Sequence, residues 1–570
     1  MEQSNIKGHI MFNPKSKTIF FFLFIWLNIF ISTSVLATTY YVDATNGADD
    51  YDGLTDFSAW KSIAKVNASR FNPGDHILFK RGEVWREQLT VPSSGTPNDM
   101  VVFGSYGAGE KPIISGSNVI THWSIDSGLI YWISLDWICK QLFQDGKRLE
   151  RKEDKSELVM GSWYQDPLTK TLFIITQDGT NPSQFLIEAA KRSYGIYLHG
   201  KSYILIDGLA IKQTNDKGAI FIDHNSNGNI VTNCEVFYSY GIGMFIDYYS
   251  NNNRLLNNKV SFSHYAEGNY QFYASNGIMV RDSSNGNTLS GNECFSNYGS
   301  GVFITNASNN LIEKNRIYDN GAGGIDINDS QSNNNLVKDN VVYRNGLIDT
   351  DEQGISFFNA GIGNVARGNV VSEQKGGPDD GAGISIDTTA NQVIVEKNIV
   401  FNNVGHGLII WNSKNGVFRN NTSYANGKAG IYVGGKDSPS SQIINNIAMN
   451  NTAFQFVLNP ETADAGGHVV SNNNFFKAGD QSPIYFNIKS YSALDFKSAF
   501  PGSVTYQVDP VFVSPPQDFA LSSSSPCIDK GVDVGLPFTG ANPDIGAKEF
   551  GEKSINLSPP RNFKLLQGVQ

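Results

Sequence analysis

The chain has 570 residues, a formal net charge of −10, and only 17% charged residues. This length is enough for a large hydrophobic core and for more than one sub-domain. No basic run exceeds a few residues, which argues against nucleic acid as a partner.

The first 37 residues have the pattern of a secretory signal. Lys7, Lys15 and Lys17 precede an apolar run at 19–31, and a Ser-Val-Leu-Ala segment ends at Ala37. This run of 13 residues is short for a membrane span, which needs about 20. We predict cleavage after Ala37, with an uncleaved anchor as the alternative. The mature protein is then secreted or periplasmic and has no membrane attachment.

Residues 38–120 are predicted to form an N-terminal cap and the first coils of a repeat structure. Short strand patterns there, such as Tyr40-Tyr-Val, alternate with turns. A cap is expected because a bare terminal coil would expose its core and its unpaired strand edges. Residues 121–190 contain several tryptophans and Asp-Gly turns at Asp145 and Asp178. That composition predicts a small β insertion.

Cysteine and acidic positions give little sign of cross-links or bound metal. Cys139, Cys234, Cys294 and Cys527 are too far apart to indicate a disulfide framework, and core packing is the favoured interpretation. No spacing is typical of metal ligands. The acidic stretch at 49–53 offers oxygen ligands for calcium, but a simple turn is favoured. We therefore expect no cofactor, with calcium as a weak alternative.

Ten similar strand patterns follow between residues 195 and 434. Each is led by a small residue and has aliphatic side chains at the first and third positions after it. They begin at Gly195, Ala219, Gly243, Gly277, Gly301, Gly324, Gly354, Gly383, Gly407 and Gly430. The steps between them are 24, 24, 34, 24, 23, 30, 29, 24 and 23 residues. A fixed period of this size indicates stacked supersecondary units.

Each repeat holds three short strands. Side chains alternate along a strand, so positions +1 and +3 face a core and positions +2 and +4 face outward. A repeat of about 23 residues is too short for a propeller blade, which needs about 40. No helical period is present. We predict an all-β chain whose residues 191–478 form the coils of a parallel β-helix.

A column of asparagines recurs at one phase of the repeat, between the second and third strands. Its members are Asn258, Asn292, Asn315, Asn340, Asn369, Asn398, Asn421 and Asn446. Asn tolerates left-handed backbone and bonds nearby main chain, and stacked amides can bond one another along the axis. We predict such a stack at the tight corner between the two strands.

The C-terminal part is less regular. Residues 479–550 are predicted to form the last coils and a closing cap that ends in Pro543-Asp-Ile-Gly-Ala. Residues 551–570 contain Pro559-Pro560 and no periodicity, so we interpret them as a linker-like tail.

Five features of the chain together resemble the pectate-lyase-like superfamily. They are the Tyr40-Tyr-Val-Asp opening, the Pro73-Gly-Asp-His-Ile-Leu-Phe segment, the coils, the Asn column and the closing Asp544-Ile-Gly-Ala. The members of this superfamily are secreted right-handed parallel β-helix proteins, and the resemblance covers most of the mature chain. It implies a polysaccharide along the first strand of each coil. It implies no single reaction, since the superfamily includes lyases, glycoside hydrolases, epimerases and non-enzymes.

Three repeats are longer than the others, and their extra residues all lie before the leading small residue. The insertions are 266–276, 347–353 and 374–382, and each contains acidic residues. Insertions on one side of a solenoid usually build its binding face; drifting surface loops are the alternative. Glu267, Tyr270 and Lys375 are candidate substrate-binding residues of these loops.

The outward positions of the ten strands include seven aromatic residues and no Lys or Glu. Aromatic rings stack on sugars, and Asp, Asn and Arg bond hydroxyl or carboxylate groups. The alternative is that the loops or another domain cover this face. The candidate substrate-binding residues on it are Arg281, Asp326, Asn328, Asp387, Trp411 and Tyr432.

Three consecutive coils carry Asp349-Thr-Asp, Asp379-Asp and Gly405-His-Gly. They resemble the Asn-Thr-Asp, Asp-Asp and Gly-His-Gly motifs of polygalacturonase-type glycoside hydrolases. The resemblance implies Asp351, Asp379 and Asp380 as acid and base, with His406 in support. The sequence departs from the family at Asp349, in the longer spacing of the Asp pair from its strand, and in lacking an Arg-Ile-Lys.

Crowded carboxylates on adjacent coils raise the pKa of one of them, which can then act as a general acid. We predict a glycoside hydrolase acting on an acidic or plant or algal cell-wall polysaccharide. One alternative is β-elimination with Arg281 or Lys375, and with Asp223 or Asp247 as metal ligands. Another is a non-catalytic carbohydrate-binding solenoid. We expect a monomer.

Overall fold

The computed structural model describes residues 37–264 and 274–552. The predicted signal up to residue 36, the loop at 265–273 and the predicted tail from residue 553 lie outside the described residues. Within the described part of the chain, we find no helix with the length and apolar character that crossing a membrane requires.

Three sheets of 14 strands each are built from the described residues, and each regular coil gives one strand to each sheet. Sheet 1 holds the strands led by the small residues. Its strands are Leu89–Thr90, Ile196–His199, Gly218–Asp223, Ile242–Ile246, Ile278–Arg281, Val302–Thr305, Ile325–Asn328, Ile355–Phe358, Ile384–Asp387, Leu408–Trp411, Ile431–Gly434, Phe456–Leu458, Ile484–Phe486 and Lys489–Tyr491.

Sheet 2 follows the polar turn after sheet 1. Its strands are Thr39–Val42, His76–Lys80, Val101–Tyr106, Ile204–Asp207, Ile230–Thr232, Arg254–Leu256, Thr288–Ser290, Leu311–Glu313, Leu336–Lys338, Val365–Arg367, Ile394–Glu396, Val417–Arg419, Gln442–Ile444 and Val469–Ser471.

Sheet 3 completes each coil. Its strands are Val84–Trp85, Ile113–Ser115, Ala210–Lys212, Glu235–Phe237, Lys259–Ser261, Glu293–Phe295, Arg316–Tyr318, Val341–Tyr343, Val370–Ser372, Ile399–Phe401, Thr422–Tyr424, Ile447–Met449, Asn473–Phe476 and Thr505–Tyr506.

The strands of successive coils pair in parallel and without slippage, as in Ile325↔Ile355 and Ile327↔Phe357. Only the last pair of sheet 1 is antiparallel among its described strands. The predicted inward residues are all 0% exposed and belong to one continuous core: Ile196, Ile246, Val280, Ile327, Ile386 and Ile410. The prediction of an all-β parallel solenoid is therefore confirmed.

The predicted asparagine column forms a ladder of side-chain amides. The amide nitrogen of Asn340 donates to Oδ1 of Asn369 at 2.9 Å, and its own Oδ1 accepts from Asn315 at 3.0 Å. The pattern continues through the column to Asn473. Each bond joins neighbouring coils, so the amides are satisfied although they are buried.

Two details of the ladder differ from the prediction. The left-handed residue is the one before each ladder asparagine, for example Asp339 with φ 56° and Lys397 with φ 55°. Further amide ladders run from Asn229 to Asn364, from Asn297 to Asn345 and from Asn403 to Asn451. In the sequence these positions look like ordinary turn residues.

Short helices cover the ends of the stack. The helix Ile63–Ala68 places Ile63 and Val66 in the main core near the first coils, and Ala493–Ala499 places Phe496 in that core near the last ones. The helix Pro460–Ala465 and the 3₁₀ turns Asp56–Ser58, Lys155–Glu157 and Pro182–Gln184 lie in connections.

After the helix Ala493–Ala499, the rest of the C-terminal segment turns back along the solenoid. It packs on the outer face of sheet 3, where Phe519 and Ala547 contact Val370, Ile399 and Phe401. The hairpin strands Phe512–Ser514 and Asp518–Leu521 belong to this segment. The apolar outer positions of sheet 3 explain why the segment turns back along the solenoid.

A separate, mostly antiparallel module interrupts the early coils between Ser117 and Ala190. One sheet has the strands Ser117–Val119, Leu142–Gln144, Lys147–Arg148 and Ile187–Ala190. The other has Ser124–Ser127, Ile130–Ser134, Glu150–Arg151, Ser162–Gln165 and Thr171–Ile175. Trp163 and Leu172 are buried in the module's own core. All four cysteines of the chain are buried and unpaired.

Candidate active site

The side chains on the outward face of sheet 1 change from apolar to polar about halfway along the stack. Phe221, Phe245, Met279 and Phe303 form a buried apolar cluster on the early coils. These aromatic rings are not available to stack on a sugar, so the expectation of an open aromatic face is not met there. The alternative of a covered face applies to these coils.

A group of mainly polar residues, which we call the polar window, follows this cluster in the same row of side chains. In register after Phe303 come Asp326, Ser356 and Ser385, and then Ile409 and Tyr432. The two serines are small and buried, and the hydroxyl of Ser385 donates to that of Ser356 at 3.2 Å. The window therefore has a low, polar floor with a carboxylate at one end.

Two carboxylates meet at this end. The backbone N–H of Gly324 donates to the carbonyl of Gln353 at 3.1 Å, which places Glu352 beside Gly323. A Cβ on Gly323 would lie 2.7 Å from both oxygens of Asp326 and 2.9 Å from Oε2 of Glu352. The two acids therefore share the space that the missing side chain leaves free.

The loops that lead into sheet 1 hold Glu352 in this position. The N–H of Gly377 donates to the carbonyl of Thr350 at 2.6 Å. A Cβ on Gly376 would come within 2.4 Å of the carbonyl oxygen of Glu352. The glycines at 376 and 377 thus allow the 374–382 loop to pack directly on the 347–353 loop.

The pKa values of both acids are raised. Burial is the main cause for Asp326, whose pKa is about 7, and the charge of Asp349 adds to it. Neither oxygen of Asp326 makes a hydrogen bond among the described residues, and the nearby Ser300 hydroxyl offsets burial only in part. The pKa of Glu352 lies well above its ordinary value because of burial and the charges of Asp326, Asp349, Asp351 and Asp380. The pair therefore holds a proton near neutral pH.

The acids implied by the polygalacturonase motifs surround this pair. Asp351 is exposed, and Asp380 is half-buried with its pKa raised by burial and by Asp351, Asp379 and Asp387. Asp379 is exposed and accepts a hydrogen bond from Lys428, which lowers its pKa. Asp379 is thus held as an ion pair at the rim of the site.

His406 lies under the aromatic side of the window. Its Nδ1 accepts from the N–H of Ala429 at 3.2 Å, and its ring packs on Tyr432 with centroids 4.4 Å apart. Burial, together with Lys428, lowers the pKa of His406 to about 4. The imidazole is therefore neutral at neutral pH and serves as a packing and hydrogen-bonding group.

Trp411 and Tyr432 form a half-exposed aromatic wall, with stacked rings 6.2 Å apart. Gly434 pairs with Trp411, and a Cβ on Gly434 would lie 2.8 Å from the indole. The glycine therefore leaves room for the tryptophan ring. Aromatic surfaces of this kind suit the apolar face of a sugar.

The other predicted binding residues have different environments. Arg281 donates to both oxygens of Asp247, at 3.0 and 2.8 Å, and lies over Phe245 in the covered part of the face. Asn328 and Asp387 are half-buried beside the window, and burial raises the pKa of Asp387. Lys375 is exposed. Glu267 and Tyr270 lie outside the described residues.

The acidic turn suggested for calcium uses its carboxylates within the protein. Asp49 accepts from the N–H groups of Lys61 and Ser62, and Asp52 accepts from that of Leu54. Calcium binding at this turn stays a prediction.

Sequence reasoning placed Asp326 on the binding face but missed its partnership with Glu352. The sequence did contain a signal for this pair, the run Gly321-Ala-Gly-Gly before Asp326. The repeat pattern requires only one small residue before each strand of sheet 1, so the additional glycine at 323 is not explained by the repeat. An extra glycine opposite an acidic loop indicates a close approach of side chains.

The family model of the right-handed β-helix region matches residues 267–400 and 363–493. XylC, solved in complex with xylose, is 13% identical, and the match covers 79% of this chain and 86% of that chain with a TM-score of 0.53. A structure described as a glycoside hydrolase is 10% identical over 76% and 96% of the two chains, with a TM-score of 0.49. The pectate lyase Pel9A is 16% identical over 91% and 98%, with a TM-score of 0.40. No curated protein matches the sequence.

The family model and the likeness to XylC concern the fold. They confirm the predicted right-handed parallel β-helix fold. The chain is a right-handed parallel β-helix protein.

Proposed function

We propose that this protein is an exported glycoside hydrolase whose catalytic residues are Asp326 and Glu352. The observation that carries the proposal is the convergence of the two carboxylates over Gly323. Two crowded acids with raised pKa values provide one proton donor and one carboxylate, which is the minimum set for glycoside hydrolysis. Export is supported by the signal-like segment before Thr38.

The two acids take different roles because their environments differ. Burial and the neighbouring carboxylates raise the pKa of Glu352, so it keeps its proton and acts as the general acid. Asp326 lies on a strand at the floor and acts as the nucleophile once it is ionised, above its pKa of about 7. The distances from a Cβ on Gly323 to these oxygens set an upper limit of about 5.6 Å on the separation of the Asp326 oxygens from Oε2 of Glu352. This limit is below the roughly 6.5–9.5 Å that inverting enzymes leave for a water molecule, so it favours a retaining mechanism.

The reaction also requires movement of the loop that carries Glu352. Both oxygens of Asp326 are shielded from solvent. The 347–353 loop would open to admit the sugar and then return Glu352 to its position beside Gly323. The sugar would enter between this loop and the wall of Trp411 and Tyr432.

The electrostatics favour a neutral sugar at the cleaved bond. Asp349, Asp351 and Asp380 surround the acid pair, and the cation of Lys428 is paired with Asp379. A uronate carboxylate at this point would add a further negative charge. We therefore propose a neutral cell-wall polysaccharide, and we assign Asp351, Asp379 and Asp380 to tuning the charge of the site.

The test is a screen of purified residues 38–570 against neutral and acidic polysaccharides and aryl glycosides, with product analysis. We expect reducing ends from a neutral substrate. Asp326→Asn and Glu352→Gln should each lower the rate by about 10²–10⁴. Asp339→Asn is the matched control, because Asp339 is exposed at a corner of the same region of the stack.

Other outcomes would reject the proposal in distinct ways. Loss of activity in Asp351→Asn and Asp379→Asn, with active Asp326→Asn, would return catalysis to the motif residues. Unsaturated products that absorb in the near ultraviolet would indicate elimination. Binding of glycans without turnover would indicate a carbohydrate-binding solenoid.

A further inference from the structure

A second group of chemically reactive side chains lies near the start of the regular coils. His199 and Asp223 are paired in register on neighbouring strands of sheet 1, and His224 follows Asp223 directly. Nδ1 of His199 and Nδ1 of His224 each lie 2.9 Å from a different oxygen of Asp223. Asp326 is four coils beyond Asp223, roughly 19 Å away at the spacing of strands in a sheet.

The three side chains form a compact set of donor atoms. One ligand atom from each residue lies within 4.8 Å of the other two. A metal ion with bonds of about 2.0–2.1 Å to nitrogen holds neighbouring ligands roughly 3.4 Å apart in tetrahedral geometry. Small rotations of the two imidazoles would therefore bring all three atoms to a common centre.

The protein holds the central carboxylate firmly and leaves the imidazoles accessible. The side chain of Asp223 is only 4% exposed, whereas those of His199 and His224 are 51% and 54% exposed. The hydroxyl of Ser226 donates to the carbonyl of Asp223 at 2.6 Å, and φ of 55° at His224 turns the chain at the end of the strand. A metal ion can therefore approach from solvent and bind to the carboxylate of Asp223, which is already held in place.

We propose that His199, Asp223 and His224 bind a divalent transition-metal ion such as Zn²⁺. Two imidazoles and one carboxylate are the donor set that such ions prefer, whereas calcium and magnesium prefer oxygen ligands. The ion would join two consecutive coils through side chains. Three protein ligands leave one position for water or for a sugar hydroxyl.

The surroundings support a ligand-binding use of that position. His199 and Tyr197 line a groove of about 700 Å³ that also contains Arg70, Thr90 and Lys201. The hydroxyl of Tyr197 lies 2.9 Å from Nδ1 of His199 and 3.3 Å from Asp223. Tyr197 lies in the same outward row of sheet 1 as Asp326, at the other end of the buried apolar cluster.

The experiment measures zinc binding to untagged residues 38–570 after treatment with a chelator. Titration calorimetry with ZnCl₂ should show one site per chain, and zinc should raise the melting temperature. Asp223→Asn and His199→Ala should each weaken binding at least about tenfold, since even indirect partners of a metal site are worth that much. His76→Ala is the control, because His76 is an exposed histidine outside the cluster.

A second measurement distinguishes a loss of zinc binding from a folding defect in the variants. The metal-free melting temperature of His199→Ala should equal that of the wild type, because half of this side chain is exposed. Wild-type protein that binds no zinc would overturn the proposal. Equal binding by Asp223→Asn, or equal loss in His76→Ala, would also overturn it.

Discussion

Glu352 lies one coil after Asp326 in the stack, and its Oε2 shares the space above Gly323 with both oxygens of that carboxylate. The two residues are 26 positions apart in the sequence, on a loop and on a strand respectively. Because successive coils stack in parallel, the two side chains lie next to each other in the folded protein. The chemistry proposed for the protein depends on this relationship.

The separation of the two carboxylates predicts the stereochemistry of the product. The first sugar released should keep its anomeric configuration, because Asp326 is close enough to Glu352 to act as a nucleophile. Proton NMR of the early product, recorded before mutarotation, measures this. An inverted product would mean that a water molecule, and a wider spacing, is used in the reaction.

The raised pKa of Asp326 predicts a pH-dependent stability. The folded protein keeps a proton on Asp326 up to a pKa of about 7, whereas the unfolded chain loses it near 3.8. Stability is therefore lost as the pH rises from about 4 to about 7. Asn cannot titrate, so the melting temperature of Asp326→Asn relative to wild type should rise across this window.

Differential scanning fluorimetry between pH 4.5 and 8 checks this expectation. Asp339→Asn, at an exposed position, is the control measured over the same range. A constant difference between Asp326→Asn and wild type would show that this carboxylate is not buried in solution.

Gly323 is predicted to be required for the geometry of the acid pair. An added methyl group would lie less than 3 Å from three carboxylate oxygens, so one or both acids must move. A displacement of about 1 Å can reduce a rate about 10²-fold. Gly323→Ala should therefore show a loss of this size in kcat, with a melting temperature close to that of wild type. Full activity in this variant would place the reaction elsewhere.

The amide ladders predict a specific stability cost. Asn340→Ala removes the acceptor used by Asn315 and the donor to the carbonyl of Ile312. Each buried group left without a partner costs about 1–3 kcal/mol. Urea denaturation should show a decrease of at least that amount in the free energy of unfolding. Asn98→Ala, at an exposed position, should change it by less than about 0.5 kcal/mol.

The sequence was most informative where a residue repeats with the coil. The aliphatic positions of sheet 1 and the asparagine column recur at a fixed phase, so burial and stacking could be predicted from them. The ladder at Asn229 and the one at Asn297 were hidden because asparagine is also common in turns.

The site was harder to predict for a physical reason. Asp326 and Glu352 come together only because the register of one strand pair places a loop residue beside a glycine. Similarly, His199 and Asp223 have no metal-ligand spacing in the sequence, and they meet through the pairing of neighbouring strands. Motif-based reasoning found the acidic loops but chose Asp351, Asp379 and Asp380, with His406 in support. The structure places Asp351 and Asp379 at the exposed rim, Asp380 half-buried and His406 buried.

Because of the amide ladders, the stacking of the coils does not depend on the lengths of the loops. Asn258 and Asn292 are 34 residues apart and Asn292 and Asn315 are 23 apart, yet both pairs make the same bond at 3.0 Å. A loop can therefore grow or shrink without disturbing the register of the coils beside it. Variation confined to these loops could change which sugars are accepted while the scaffold stays intact, so related chains should differ most in the segments that carry Glu352 and Asp380.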